Sequence, residues 1–197
     1  MSGQDALLPV LHSVRVRGVA DARGVAGRTG LPTEEVVVAL LDAEAAGLVA
    51  HVQLAGPGDW SLTERGKARG EALLADELDA AGARAAVRAV LDGFGPANAL
   101  VTGACTRWQL AEMGLADPTD LSGVLRDLTA AADGLATTEA RLATRLPRFA
   151  GYHARFSHAV ERAHLDPAWI TSTDRDSAHR VWFELHEDLL ATLGVER

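Results

Sequence analysis

Leu7, Leu8, Leu11 and Val14 recur at helical spacing until Gly18 interrupts them, which predicts an opening helix. Residues 22–29 form a short second helical stretch, closed by Gly30. Pro32 and Thr33 start a third, with Glu34 and Glu35 in the first turn where carboxylates suit the helix dipole. Its inner stripe is Val36, Leu40 and Ala43, and Gly47 is its stop. Residues 49–54 then predict a strand, residues 55–58 (Ala-Gly-Pro-Gly) a turn tip, and residues 59–62 a return strand. Ser61-Leu62-Thr63-Glu64 offers a capping box for a fourth helix.

Beyond residue 70 the periodicity is helical throughout. Leu73, Leu74 and Leu78 carry the fourth helix to a break near Gly82, residues 85–91 make another, and Gly93-Phe94-Gly95-Pro96 stops it. A helix from Ala97 to about Leu110 carries Cys105 and Trp108, and Asp117-Pro118-Thr119-Asp120 has the cap and proline of a helix start. Leu121, Leu125, Leu128, Ala132, Leu135, Leu142 and Leu146 sustain a near-heptad stripe along one long helix. Pro147 opens the next, Asp166-Pro167 breaks it, and residues 173–176 (Thr-Asp-Arg-Asp) cap the last. No repeat or flexible linker separates the parts. The expected fold is mainly α: a winged helix-turn-helix with a small β-wing over residues 1–80, and an all-helical second domain over residues 81–197 packed tightly on it.

In order and spacing, the first 70 or so residues resemble the winged-helix domain of MarR-type bacterial regulators. The closest matches are Gly47-Leu48-Val49 before the wing and Leu62-Thr63-Glu64-Arg65-Gly66 after it. The resemblance implies a transcriptional regulator that binds double-stranded operator DNA as a homodimer, since such readers address two half-sites about one helical turn apart. The helical half would then dimerise or sense a small apolar ligand. Residues 181–194 are similar to the closing helix of poorly characterised actinobacterial proteins that also begin with a MarR-like winged helix, and no activity attaches to that likeness.

Charge complicates this picture. The 197-residue chain carries a net charge of −8, and its first 80 residues hold seven Lys/Arg against twelve Asp/Glu. A DNA-binding module ordinarily shows a basic footprint, because phosphate contacts supply most non-specific affinity. The candidates here are Arg15 and Arg17 closing the first helix, Arg23 and Arg28 on the second, Thr33 at the head of the third, and Arg65, Lys67 and Arg69 opening the fourth. His51 and Gln53 on the wing can reach a backbone, but the wing has no arginine to enter a minor groove. Between Pro32 and Gly47 there is no arginine, lysine, asparagine or glutamine, the side chains that most often pair with bases or phosphates. Val37 and Leu41 add a second apolar strip, which a helix in a wet groove does not need.

In the helical half, His179, Trp182, Phe183 and His186 share a broad face near the chain's end, with Cys105 and Trp108 on another helix and Trp169 in a loop. Such a set can line an apolar pocket with a few polar handles, although a Trp/Phe/His stripe at helical spacing is more often core. His179 and His186 lie two turns apart and the remaining histidines match no ligand spacing, so no metal or other cofactor is expected. Neither a phosphate-binding glycine loop nor a catalytic triad is legible. Glu184, Glu187 and Asp188 read as a solvated helix face. The single cysteine, the lack of a secretory signal pattern and the absence of a long apolar run suggest a cytoplasmic protein without a membrane partner. Two readings stay open: a DNA-binding regulator, and a winged-helix scaffold that has lost DNA binding and carries a ligand-binding or catalytic helical domain. A third, a pure protein-interaction adaptor, gains if no pocket exists.

Overall fold

The computed structural model describes residues 3–52, 59–117 and 120–195. It is mainly helical with one small sheet, in the order α1 (Gly3–Arg17), β1 (Ala20–Asp21), α2 (Ala22–Thr29), α3 (Thr33–Ala45), β2 (Val49–His51), β3 (Asp59–Leu62), α4 (Glu64–Ala80), α5 (Arg84–Gly93), α6 (Gly95–Glu112), α7 (Leu121–Ala143), α8 (Tyr152–Ala163) and α9 (Ala178–Leu193). Short 3-10 turns at Pro147–Phe149 and Pro167–Trp169 flank α8. The chain divides into two compact units, Met1–Ala80 with Ala191–Arg197, and Ala81–Leu190.

In the first unit Val10, Leu11 and Val14 of α1 meet Val25 of α2, Val36, Leu40 and Ala43 of α3, and Val49 and Trp60 of the sheet in one core. The helices end and begin where local chemistry dictates. Asp21 caps α2, its carboxylate accepting from the Gly24 N–H at 2.7 Å. At the end of α3 the Gly47 N–H donates to the Glu44 carbonyl and the Leu48 N–H to the Ala43 carbonyl, a paired closure that places Gly47 at φ 70°. The antiparallel sheet has the order β1-β3-β2, with Ala20 opposite Trp60 and His51 opposite Trp60 on the other side. β1 is absent from the sequence expectation because two residues carry no period. The tip expected at residues 55–58, with Gln53 and Leu54, lies outside the described residues, as do Pro118 and Thr119.

The second unit is built around α7, which packs against both α6 and α8. Val124, Leu125, Leu128, Ala131, Ala132, Leu135 and Leu142 of α7, and Leu146 beyond it, are all buried. Glu139 of α7 supplies a cap from outside the helix it closes: its carboxylate accepts from the Gly151 and His153 N–H groups at 3.1 and 2.6 Å at the head of α8. Two expected caps move. Thr63, not Ser61, begins α4, and Ser177, not the Thr173 to Asp176 segment, lies at the head of α9, its Oγ accepting from the Arg180 N–H at 3.4 Å.

Candidate functional site

α3 presents two contrasting faces. Val36, Leu40 and Ala43 turn inward, whereas Thr33, Glu34, Glu35 and Asp42 are exposed. Val37, Val38 and Leu41 join them at 40, 59 and 49 % exposure. The outward face is therefore apolar in the middle and anionic around it.

The cations of the first unit fall into two groups. Arg15 is mostly buried and tied to Glu71 of α4 at 2.8 Å, and Arg17 lies with its Nε buried and its guanidinium against the α2 cap. Arg15 is thus engaged by an ion pair, and Arg17 is half-buried beside the α2 cap. Arg23 at the start of α2 and Arg65 and Arg69 on the first turns of α4 are exposed, with Arg28 and Lys67 half-buried. His51 is exposed, but its ring lies 3.7 Å from that of Trp60, its cross-strand neighbour, which engages one face of the imidazole.

The segment from Thr63 to Gly66 has a clear physical role. The Thr63 hydroxyl donates to the Gly47 carbonyl at 2.7 Å, and the same oxygen accepts from the Gly66 N–H at 3.0 Å. The Thr63 N–H donates to the Leu48 carbonyl at 3.1 Å. A Cβ on Gly66 would stand 1.8 Å from that Leu48 oxygen, so only glycine lets α4 start this close to the end of α3. Thr63 and Gly66 thus lock the hairpin between α3 and α4.

In the second unit the aromatic candidates separate. Trp182 is buried, stacked on Phe94 with centroids 5.0 Å apart and tilted against Phe156 at 5.3 Å; its indole N–H donates to Asn98 Oδ1 at 3.0 Å. His186 lies 5.1 Å from the same Phe94 ring. Phe183, expected on this face, is exposed, and His179 is half-buried, its burial lowering the imidazole pKa. Trp169 belongs to another cluster, edge-on to His158 at 5.5 Å with Arg162 and Arg175 over its ring. Trp108 does not lie opposite Trp182. Asn98 is the α6 residue that touches Trp182, and Trp108 sits ten residues farther on, about 15 Å along a helix axis. Cys105 is buried, and desolvation, only partly offset by nearby Arg107, pushes its thiol up to about 12, which makes it an inert core residue.

Asn98 and Phe94 were missed from sequence because the Gly93 to Pro96 segment reads as a simple break. A larger correction concerns α9. Glu184 and Asp188 are buried, not solvated. Arg155 of α8 donates to Glu184 at 2.7 Å and to Asp176 at 2.8 Å; Arg148 pairs with Asp188, which also accepts from the Tyr152 hydroxyl at 2.9 Å. Burial works against the Arg155 charge, but hydrogen bonds and attraction from Asp176 and Glu184 outweigh it and raise its pKa. The arrangement is a satisfied ionic frame.

Among the described residues no group of three or more metal-ligating side chains converges, and no helix is long and apolar enough to cross a membrane. No family model, curated protein or solved structure matches the chain.

Proposed function

We propose that the first unit is a winged helix and that the protein is a MarR-like regulator which binds operator DNA through it. The observation that carries this reading is the open outer face of α3, following the α2 turn and preceding the β2–β3 hairpin, with exposed Arg23, Arg65 and Arg69 on neighbouring helices. Those arginines, with Lys67 and Arg28, make the phosphate contacts, while Thr33 stands at the head of the helix. The chemistry available to α3 in a major groove is unusual but defined: carboxylates accept from the cytosine amino group, and valines meet the thymine methyl.

A mobility-shift titration at low salt with genomic fragments tests this. Binding is expected, and reversing Arg23 and Arg69 to glutamate should weaken it at least tenfold.

One observation favours a second reading, a winged-helix scaffold that no longer binds DNA. The Val37, Val38 and Leu41 strip and the surrounding Glu34, Glu35 and Asp42 suit a protein surface better than a phosphate-lined groove. No shift at low salt with any fragment selects it.

A further inference from the structure

A cavity of about 460 Å³ runs along the first half of α7, and none of the side chains that the sequence suggested for a ligand lines it. Ser122, Arg126, Thr129 and Asp133 recur at intervals of three and four residues, so they share one stripe of the helix. Leu125 is the one buried member of the lining, and the rest are exposed. His164, just past α8, closes the site from outside α7. Because Glu139 caps the head of α8 while His164 reaches the first half of α7, the two helices run antiparallel and the cavity lies toward the end of α8. Its volume exceeds roughly 300 Å³, the usual lower size of ligand sites.

The charges on this stripe have no partner within the protein. Arg126 has two acidic neighbours in sequence, and both are engaged elsewhere. Asp120 caps α7, its carboxylate accepting from the Ser122 and Gly123 N–H groups at 3.0 Å each, and Asp127 pairs with Arg107. Asp133 has no cation three or four residues away on its helix. Among the described residues no ion pair engages Arg126, Asp133 or His164. Nor do Arg126 and Asp133 neutralise each other, since seven positions separate them by about 10 Å along the axis. The Arg126 guanidinium leans back toward Gly123, with Nη2 3.4 Å from where a Cβ there would stand, and so away from Asp133.

We propose that this trough binds a short free peptide of about three residues, its carboxylate on Arg126 and its ammonium on Asp133. An extended chain covers about 3.3–3.6 Å per residue, so three residues match the span between the two charges. The guanidinium fork suits a carboxylate, and the Asp133 carboxylate an ammonium. A purely anionic ligand would meet Asp133 and a purely cationic one Arg126, whereas a free amino acid carries its charges on a single carbon and reaches only one of them. Between the ends the groups suit a peptide backbone. The Thr129 hydroxyl already donates to the Leu125 carbonyl at 2.9 Å and is left to accept from a peptide N–H, and Ser122 and His164 can donate or accept. The site does not rest on DNA binding.

An NMR titration of the isotope-labelled full chain with trialanine tests it. Saturable shifts should centre on the Ser122 to Asp133 stripe and His164, with a dissociation constant of roughly 1 mM or below. N-acetyl-trialanine and trialanine amide, each lacking one charge, should bind at least about fivefold more weakly, the loss of one charge-assisted contact. Asp133→Asn should bind trialanine and its acetylated form alike, and Arg126→Gln trialanine and its amide alike. Both positions are exposed and unpaired, so the melting profiles should stay at wild type. Absence of shifts at about 10 mM trialanine, blocked peptides that bind as well as the free one, or alanine that binds as well as trialanine, overturns the proposal.

Discussion

Gly66 shows how much one missing side chain can decide. With the Leu48 carbonyl 1.8 Å from where its Cβ would be, Gly66→Ala has to push α4 off the end of α3 or break the Thr63 bonds that define the hairpin. Overpacking of this kind costs about 3 kcal/mol when backbone, not a flexible side chain, is the obstacle. Thr63→Val keeps the shape and removes the hydroxyl, leaving the Gly47 carbonyl and the Gly66 N–H without that partner, a loss of about 1–2 kcal/mol. Urea titration should rank the variants Gly66→Ala, Thr63→Val, wild type in rising stability. If Gly66→Ala unfolds at the wild-type midpoint, the close approach is not a constraint. The sequence alone shows a glycine three residues after a threonine, and the backbone that needs it is sixteen or more residues upstream, which is why its purpose cannot be read locally.

At the scale of elements, the sharpest case is α9. Its sequence alternates apolar and charged positions in a way that suggests one wet face, yet Glu184 and Asp188 are buried because α8 and the turn before it supply Arg155, Arg148 and Tyr152. Those donors lie 29 to 40 residues away, so no local pattern reports the pairing. Removing Arg155 takes the closer of two arginines from the buried Glu184 carboxylate, Arg180 standing at 3.6 Å. Arg155→Met should therefore cost about 3 kcal/mol, and Arg155→Met combined with Glu184→Gln less than the single change, since the second removes the less fully compensated buried charge. Thermal melts of the two variants check this, and a double variant worse than the single by a further 2 kcal/mol or so would show Glu184 to act apart from Arg155. Where the determinants are local, the residues were sufficient. Gly18, Gly30 and Gly47 follow the ends of α1, α2 and α3, Val36, Leu40 and Ala43 face inward, and β3 spans Asp59–Leu62. Distances between helices were not legible: periodicity put Trp182, Phe183 and His186 together, but only packing distinguishes the buried Trp182 from the exposed Phe183.

For the molecule as a whole, electrostatics decides between the two functional readings. A chain of net charge −8 meets a polyanion only through local cations, and among the described residues the first unit offers five exposed or half-buried ones besides Arg15 and Arg17: Arg23, Arg28, Arg65, Lys67 and Arg69. Each phosphate neutralised contributes about −0.9 to the slope of log K against log salt. One copy that uses all five should give a slope of about −4.5, and a two-fold dimer with both copies on one duplex about −9. The acidic remainder of the protein repels the duplex at longer range, so affinity should be modest at physiological salt and rise steeply on dilution. Fluorescence anisotropy with a labelled duplex, titrated from 50 to 200 mM salt (roughly the range over which counterion release is well resolved), measures the slope directly. Lys67→Gln should reduce it by about 1 per copy without changing the preferred sequence. A slope near zero would mean that no phosphate is neutralised, whatever affinity is seen, and the apolar, anionic face of α3 would then stand as a surface for protein and not for DNA.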